Sequence, residues 1–152
     1  MAVQTKLNNT SMPFILEGQS FVKTGTIVKD AARTTVLKQF TVLAKVASSR
    51  KYTPYVSATQ TTGASMPLAI YLGPDIAAAD LVAGDVEDLD ILVGGGCTVD
   101  ENQVVFDDDT LSADTVVNAA AANPYMVMTA RDCLGMFGIY LQDTTDISEF
   151  EN

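Results

Sequence analysis

The 152-residue chain contains no histidine and no tryptophan, and it has only two cysteines and nine basic side chains. Without histidine there is no Ser–His or Cys–His pair, no common zinc site, and no ready general base near neutral pH. Cys97 and Cys133 lie far apart with no Cys-x-x-Cys spacing, so they form neither a disulfide framework nor a metal-ligand set; they read as reduced thiols, with a single bridge between them as the alternative. No stretch approaches the roughly 18 apolar residues that a membrane span requires. The opening MAVQTKLNNTSMPF lacks the apolar run of a signal peptide, so the expectation is a soluble protein that stays in the cell that makes it.

The composition that is present is globular, 47% hydrophobic, and long enough to bury one core without a disulfide or metal. The net charge of −10 argues against a sequence-independent nucleic-acid binder, which must neutralise phosphates. This charge is unevenly placed. Residues 1–51 hold eight basic against two acidic side chains, a formal +6. The rest of the chain holds Arg131 alone against seventeen acids, a formal −16. Two readings fit: attraction between the two parts of the fold, or a polarised surface that meets an acidic partner or neighbouring subunit.

Residues 1–20 are polar and aperiodic apart from the island Phe14-Ile15-Leu16, and they read as a flexible arm. Pro13 favours extended backbone, and the island can supply one strand to a foreign sheet, although a frayed terminus has the same appearance. From Ser20 onward the pattern is β, with short Val-, Ile-, Thr- and Tyr-rich runs broken by Gly, Pro, Asp and Ser. It predicts strands over Thr26–Lys29, Thr41–Ala47, Tyr52–Tyr55, Pro67–Leu72, Asp90–Val93 and Val104–Phe106. Gly94-Gly95-Gly96 reads as a bend between strands and not as a phosphate loop, since no Gly-Lys-Ser/Thr ending follows. Leu111–Ala122 reads as a helix capped by Asp109 or Ser112 and stopped at Asn123-Pro124. Two strands, Tyr125–Ala130 and Met136–Leu141, are expected around a turn at Arg131–Gly135, followed by an acidic tail, 142–152.

Several of these stretches, in order, make the chain resemble the head decoration proteins of tailed bacteriophages, the family of the lambda D protein. They are Val42-Leu43-Ala44-Lys45-Val46, Lys51-Tyr52-Thr53-Pro54-Tyr55 and Pro67-Leu68-Ala69-Ile70-Tyr71-Leu72. Ala77–Asp85, Asp90-Ile91-Leu92-Val93 and Asn102–Phe106 follow. The resemblance covers roughly residues 21–141 and rests on the order of short strand patterns. It implies a mainly β domain of β-clip or β-tulip type, with one short helix near 111–122, an arm at 1–20 and a tail at 142–152. It further implies a non-enzymatic capsid cement protein that binds the expanded head as a homotrimer at local three-fold axes. The major capsid protein would be its partner, and the virion surface its location. The arm would add a strand to a capsid-protein sheet through Pro13, Phe14, Ile15 and Leu16. No cofactor, metal, nucleic acid or membrane is expected, and the trimer faces are unassigned.

Two other readings compete. One is a different virion part, such as a tail, spike or head-fibre base subunit. The other is a trimeric nucleotide hydrolase of related β fold, using Asp107-Asp108-Asp109 or Asp85-Val86-Glu87-Asp88 to bind Mg²⁺ or Ca²⁺. The hydrolase reading lacks nearby Arg or Lys and a glycine cradle, so both acid clusters read more simply as turn and helix-start residues. The methionines and phenylalanines, with Tyr52, Tyr55 and Tyr71, read as core and half-buried strand positions and not as a ligand stack.

Overall fold

The computed structural model describes residues 13–56, 66–117 and 128–144. Five strands close into a small barrel: β2 (Phe21–Ile27), β3 (Val42–Lys45), β4 (Tyr52–Pro54), β5 (Ala69–Tyr71) and β6 (Val86–Gly94), in the order β2-β4-β3-β5-β6. A second, three-stranded sheet has the order β1-β7-β8, from Ile15–Gly18, Cys97–Asp100 and Ile139–Gln142. Two short helices, α1 (Ala78–Ala83) and α2 (Ala130–Met136), and a 3₁₀ turn at Glu101–Gln103 complete the described elements. The protein is mainly β.

Why the barrel strands read as continuous apolar runs follows from their surroundings. Leu43, Ala69, Tyr71 and Ile91 join Ile27, Leu37, Tyr52 and Leu81 in one core cluster, on the barrel's inner side. Their neighbours Val42, Ala44, Ile70 and Leu92 point the opposite way, into a second cluster with Phe14, Cys97, Val99, Leu134 and Ile139. Successive strand residues face opposite sides, so a wall buried on both sides has no polar alternation to show. The second sheet covers that outer side. Tyr52, Tyr55 and Tyr71 are all buried, deeper than the half-burial expected.

The chain crosses between the two layers through glycine. Gly94, at φ +143, lies so close to Phe137 that a Cβ there would stand 2.1 Å from its carbonyl oxygen. The Gly94–Gly96 bend does join two strands, β6 and β7.

Several expectations are corrected. The stretch 111–117 is not helical: the Val117 and Ala130 amides donate to the Met128 and Thr115 carbonyls, and Val116 bridges Thr129 antiparallel. β-Branched Thr115, Val116 and Val117 favour this ladder, and it takes the backbone groups a helix would need. The rest of the expected helix, 118–122, lies outside the described residues. The expected turn at Arg131–Gly135 is helix α2, which begins at a capping box: the Thr129 hydroxyl accepts from the Asp132 amide and the Asp132 carboxylate accepts from the Thr129 amide. That helix also replaces the end of the strand expected over Tyr125–Ala130, of which 125–127 lie outside the described residues. The strand expected at Met136–Leu141 starts later, at Ile139. Val104–Phe106 contributes only a parallel bridge between Val105 and Thr41.

The arm boundary at residue 20 also moves. Residues 15–18 are a strand of the folded domain, antiparallel to β7, with Ile15 opposite Val99 and Gly18 opposite Cys97.

Candidate functional site

The residues assigned to partner binding divide. Phe14 is 8% exposed and its ring stacks on Phe40 at 3.9 Å and 5° between planes. Its carbonyl accepts from the Asp100 amide at 2.8 Å. A side chain held in this way is core, so Phe14 is withdrawn as a partner contact. Phe40 adopts φ 68, a region that costs a non-glycine residue about 1–3 kcal/mol. The stack and the backbone bonds on either side of Phe40, to Tyr71 and Val105, hold it there. Pro13 is exposed, and Ile15 and Leu16 are half-buried on β1. Among the described residues β1 is paired on one side only.

Against the expectation of no nearby Arg or Lys, the fold brings Arg33 and Lys38 to the Asp107–Asp109 cluster and Lys51 to Asp85, because residues far apart in sequence meet there. Asp107 takes a bidentate pair from Arg33, with Nη1–Oδ2 at 2.7 Å and Nη2–Oδ1 at 2.5 Å. The Arg33 side chain is 5% exposed, and its guanidinium also donates to the Thr35 and Val36 carbonyls. Asp108 accepts from the hydroxyl and amide of Thr110, and these bonds hold its carboxyl below the usual range. With Asp109, Lys38, Val36 and Phe106 they line a shallow cleft of about 510 Å³. Asp85 accepts from Lys51 Nζ at 2.6 Å and from the Lys29 amide at 2.7 Å. The Lys51 bond chiefly lowers the Asp85 carboxyl and raises the lysine. Among the described residues no group of three or more cysteines, aspartates and glutamates could hold a metal ion.

These pairs resolve part of the charge asymmetry. Arg33–Asp107 and Lys51–Asp85 tie the basic third to the acidic remainder, as the intramolecular reading required. Arg131 acts within the acidic part, on Glu101 at 2.6 Å and Asp114 at 3.3 Å. Asp100, nearly fully buried, accepts from the Asn102 amide, the Gln103 side chain and the Thr144 hydroxyl.

Both thiols are free and buried, and burial pushes each above its ordinary value. The Tyr55 hydroxyl is buried without a hydrogen-bond partner, a defect of about 1–3 kcal/mol set in apolar surroundings. No described helix is long and apolar enough to cross a membrane.

Sequence reading missed a different feature, a group of exposed large apolar side chains: Phe21, Met136, Phe137 and Tyr140. Their only sequence signal is the absence of charge in 133–142. No protein-family model, no curated protein and no solved structure matches the chain.

Proposed function

We propose that this chain is a capsid decoration protein of a tailed phage, binding the expanded head as a trimer and stabilising it without catalysis. The observation that carries the reading is the position of the segments in which the resemblance lies. Four of them supply the adjacent strands β3, β4, β5 and β6 of one barrel, and Ala77–Asp85 supplies α1 between the last two. Five of the six segments thus fall in one continuous piece of architecture, while Asn102–Phe106 lies outside the barrel strands.

Three further features support it. Of the acids that a hydrolase would need, Asp107, Asp108 and Asp85 are engaged in structural bonds with Arg33, Thr110 and Lys51. A large net charge keeps such a protein dispersed at high concentration before the lattice accepts it. The edge of β1 that is unpaired among the described residues, with Ile15 and Leu16 in the strand and Pro13 ahead of it, offers main-chain groups to a capsid-protein sheet. In this reading the domain's own edge extends the partner sheet, and residues 1–12, which lie outside the described residues, keep the partner-binding role that the resemblance implies. Three linked contacts per trimer then raise avidity far above one contact's affinity.

The test is a quantitative protein gel of purified virions. A ratio near one to one with the major capsid protein is expected. A ratio of a few per cent moves the chain to the tail, spike or vertex, and complete absence refutes the virion reading. Deleting residues 2–12 is expected to weaken capsid binding while the melting temperature holds; undiminished binding would remove the arm from the proposal.

A further inference from the structure

The exposed apolar side chains converge on one face. Phe21 stands opposite Gly94 in the β2–β6 ladder, and directly opposed residues share a side of a sheet. The Cβ direction at Gly94 points at the Phe137 carbonyl, so Phe21 and Phe137 lie on the same side. Met136 precedes Phe137 at the end of α2, and the Tyr140 ring comes within 3.8 Å of where a Gly135 Cβ would stand. The 138 turn closes onto the glycine run, with the Gly96 and Cys97 amides both donating to the Gly138 carbonyl at 3.0 Å. A Cβ at Gly96 would meet nothing within 4 Å, so the backbone there is open to close approach.

We propose that this face, made of Phe21, the Gly94–Gly96 turn, Met136, Phe137 and Tyr140, is where copies of the chain pack against one another. The exposures are 56%, 62%, 39% and 52% for Phe21, Met136, Phe137 and Tyr140. Together these equal about two whole side chains, or roughly 400 Å² at about 200 Å² each. That is about half of what one partner contributes to a standard stable interface, enough for its apolar centre. The composition also fits, since aromatic residues and methionine are enriched at interface centres while charges are depleted there.

The charge distribution favours this face for a second copy. Two chains of net −10 repel wherever exposed carboxylates meet. This face is built from 18–22, 91–99 and 133–142, and none of these stretches contains Asp, Glu, Lys or Arg. It is a place where two copies approach without that penalty. The inference rests on the proposed function only for the number of copies, three; the face itself follows from the side chains.

The experiment is sedimentation velocity with light scattering on the purified full chain, alongside Met136→Glu and Tyr140→Glu. Both positions are exposed, so circular dichroism and monomer melting are expected to be unchanged. Wild type is expected to sediment as a multiple of 16.1 kDa. Each variant is expected to weaken self-association roughly tenfold or more. A Met136→Cys variant gives a second measurement: because the native thiols are buried, a short bismaleimide should link copies through this position. A wild type that stays at 16.1 kDa up to its solubility limit overturns the inference. So does an oligomer that neither glutamate disturbs, or variants that keep the oligomer and lose capsid binding. The virion gel answers a separate question, so an oligomer dissolved by these variants stands even if the chain is absent from the particle.

Discussion

Replacing Phe14 by alanine tests whether β1 belongs to the fold or to a detachable arm. The ring is 8% exposed and stacked on Phe40, and the β1 backbone is bonded to β7. Removing it forfeits about 2 kcal/mol of apolar burial and about 1 kcal/mol of ring pairing. The sum, about 3 kcal/mol, sits at the low end for Phe→Ala in a core, as suits a site near a sheet edge that can partly collapse. For a chain of this length each kcal/mol lowers the melting temperature by roughly 2–4 °C, so a fall of about 6–12 °C is expected. Urea denaturation followed by tyrosine fluorescence measures the free energy directly, and Phe14→Leu serves as a milder control. A loss under about 0.5 kcal/mol, the range of surface substitutions, would refute the placement of Phe14 in the core.

At Phe40 the usual order of substitutions reverses. With φ at 68, Phe40→Gly should be at least as stable as Phe40→Ala in urea, and a glycine variant clearly weaker than alanine would count against the strain. Asp107→Ala leaves the guanidinium of the 5%-exposed Arg33 side chain without its counter-charge and should cost about 3 kcal/mol by chemical denaturation. The carboxyls of Asp85, Asp108 and Asp132 are all held below their ordinary value, chiefly by bonds from Lys51, Thr110 and the Thr129 amide respectively. Their contribution is therefore complete above the unfolded value near 3.9 and is lost as pH falls through the lower folded values. Denaturation midpoints between neutral pH and strong acid should fall in that window, and the fall should be shallower in Asp85→Asn.

The barrel wall was legible in the sequence because its cause is local. Strands β3, β4 and β5 are short apolar runs between turn residues, and the expected segments at 41–47, 52–55 and 67–72 contain all of them. Where the signal depended on distant partners, reading failed. β7 is four residues long, and one of its partners, β1, precedes it by some eighty positions, so no periodicity announces it. β2 was placed too late because its first residues, Phe21 and Val22, are exposed and Gly25 interrupts the run. α1 has one buried residue, Leu81, and no side-chain cap, which leaves almost nothing to detect. α2 was detectable, since Thr129 and Asp132 form a capping box, but the surrounding β pattern masked it. For the candidate site, the island at Phe14 was visible while its partner Phe40 was not. The apolar face around Gly96 was invisible because folding alone brings 21, 94–96 and 136–140 together.

The sheet that receives β1 has a consequence for synthesis. β7 cannot pair until the chain has grown past Asp100, and β8, its parallel neighbour, arrives only with Gln142. The first third of the polypeptide, formally +6, thus leaves the ribosome well before Asp85 and Asp107 exist to neutralise Lys51 and Arg33. All five barrel strands are present once the chain has passed Gly94, whereas the second sheet is complete only with Gln142, so products truncated before residue 139 carry a barrel whose outer side lacks its last covering strand.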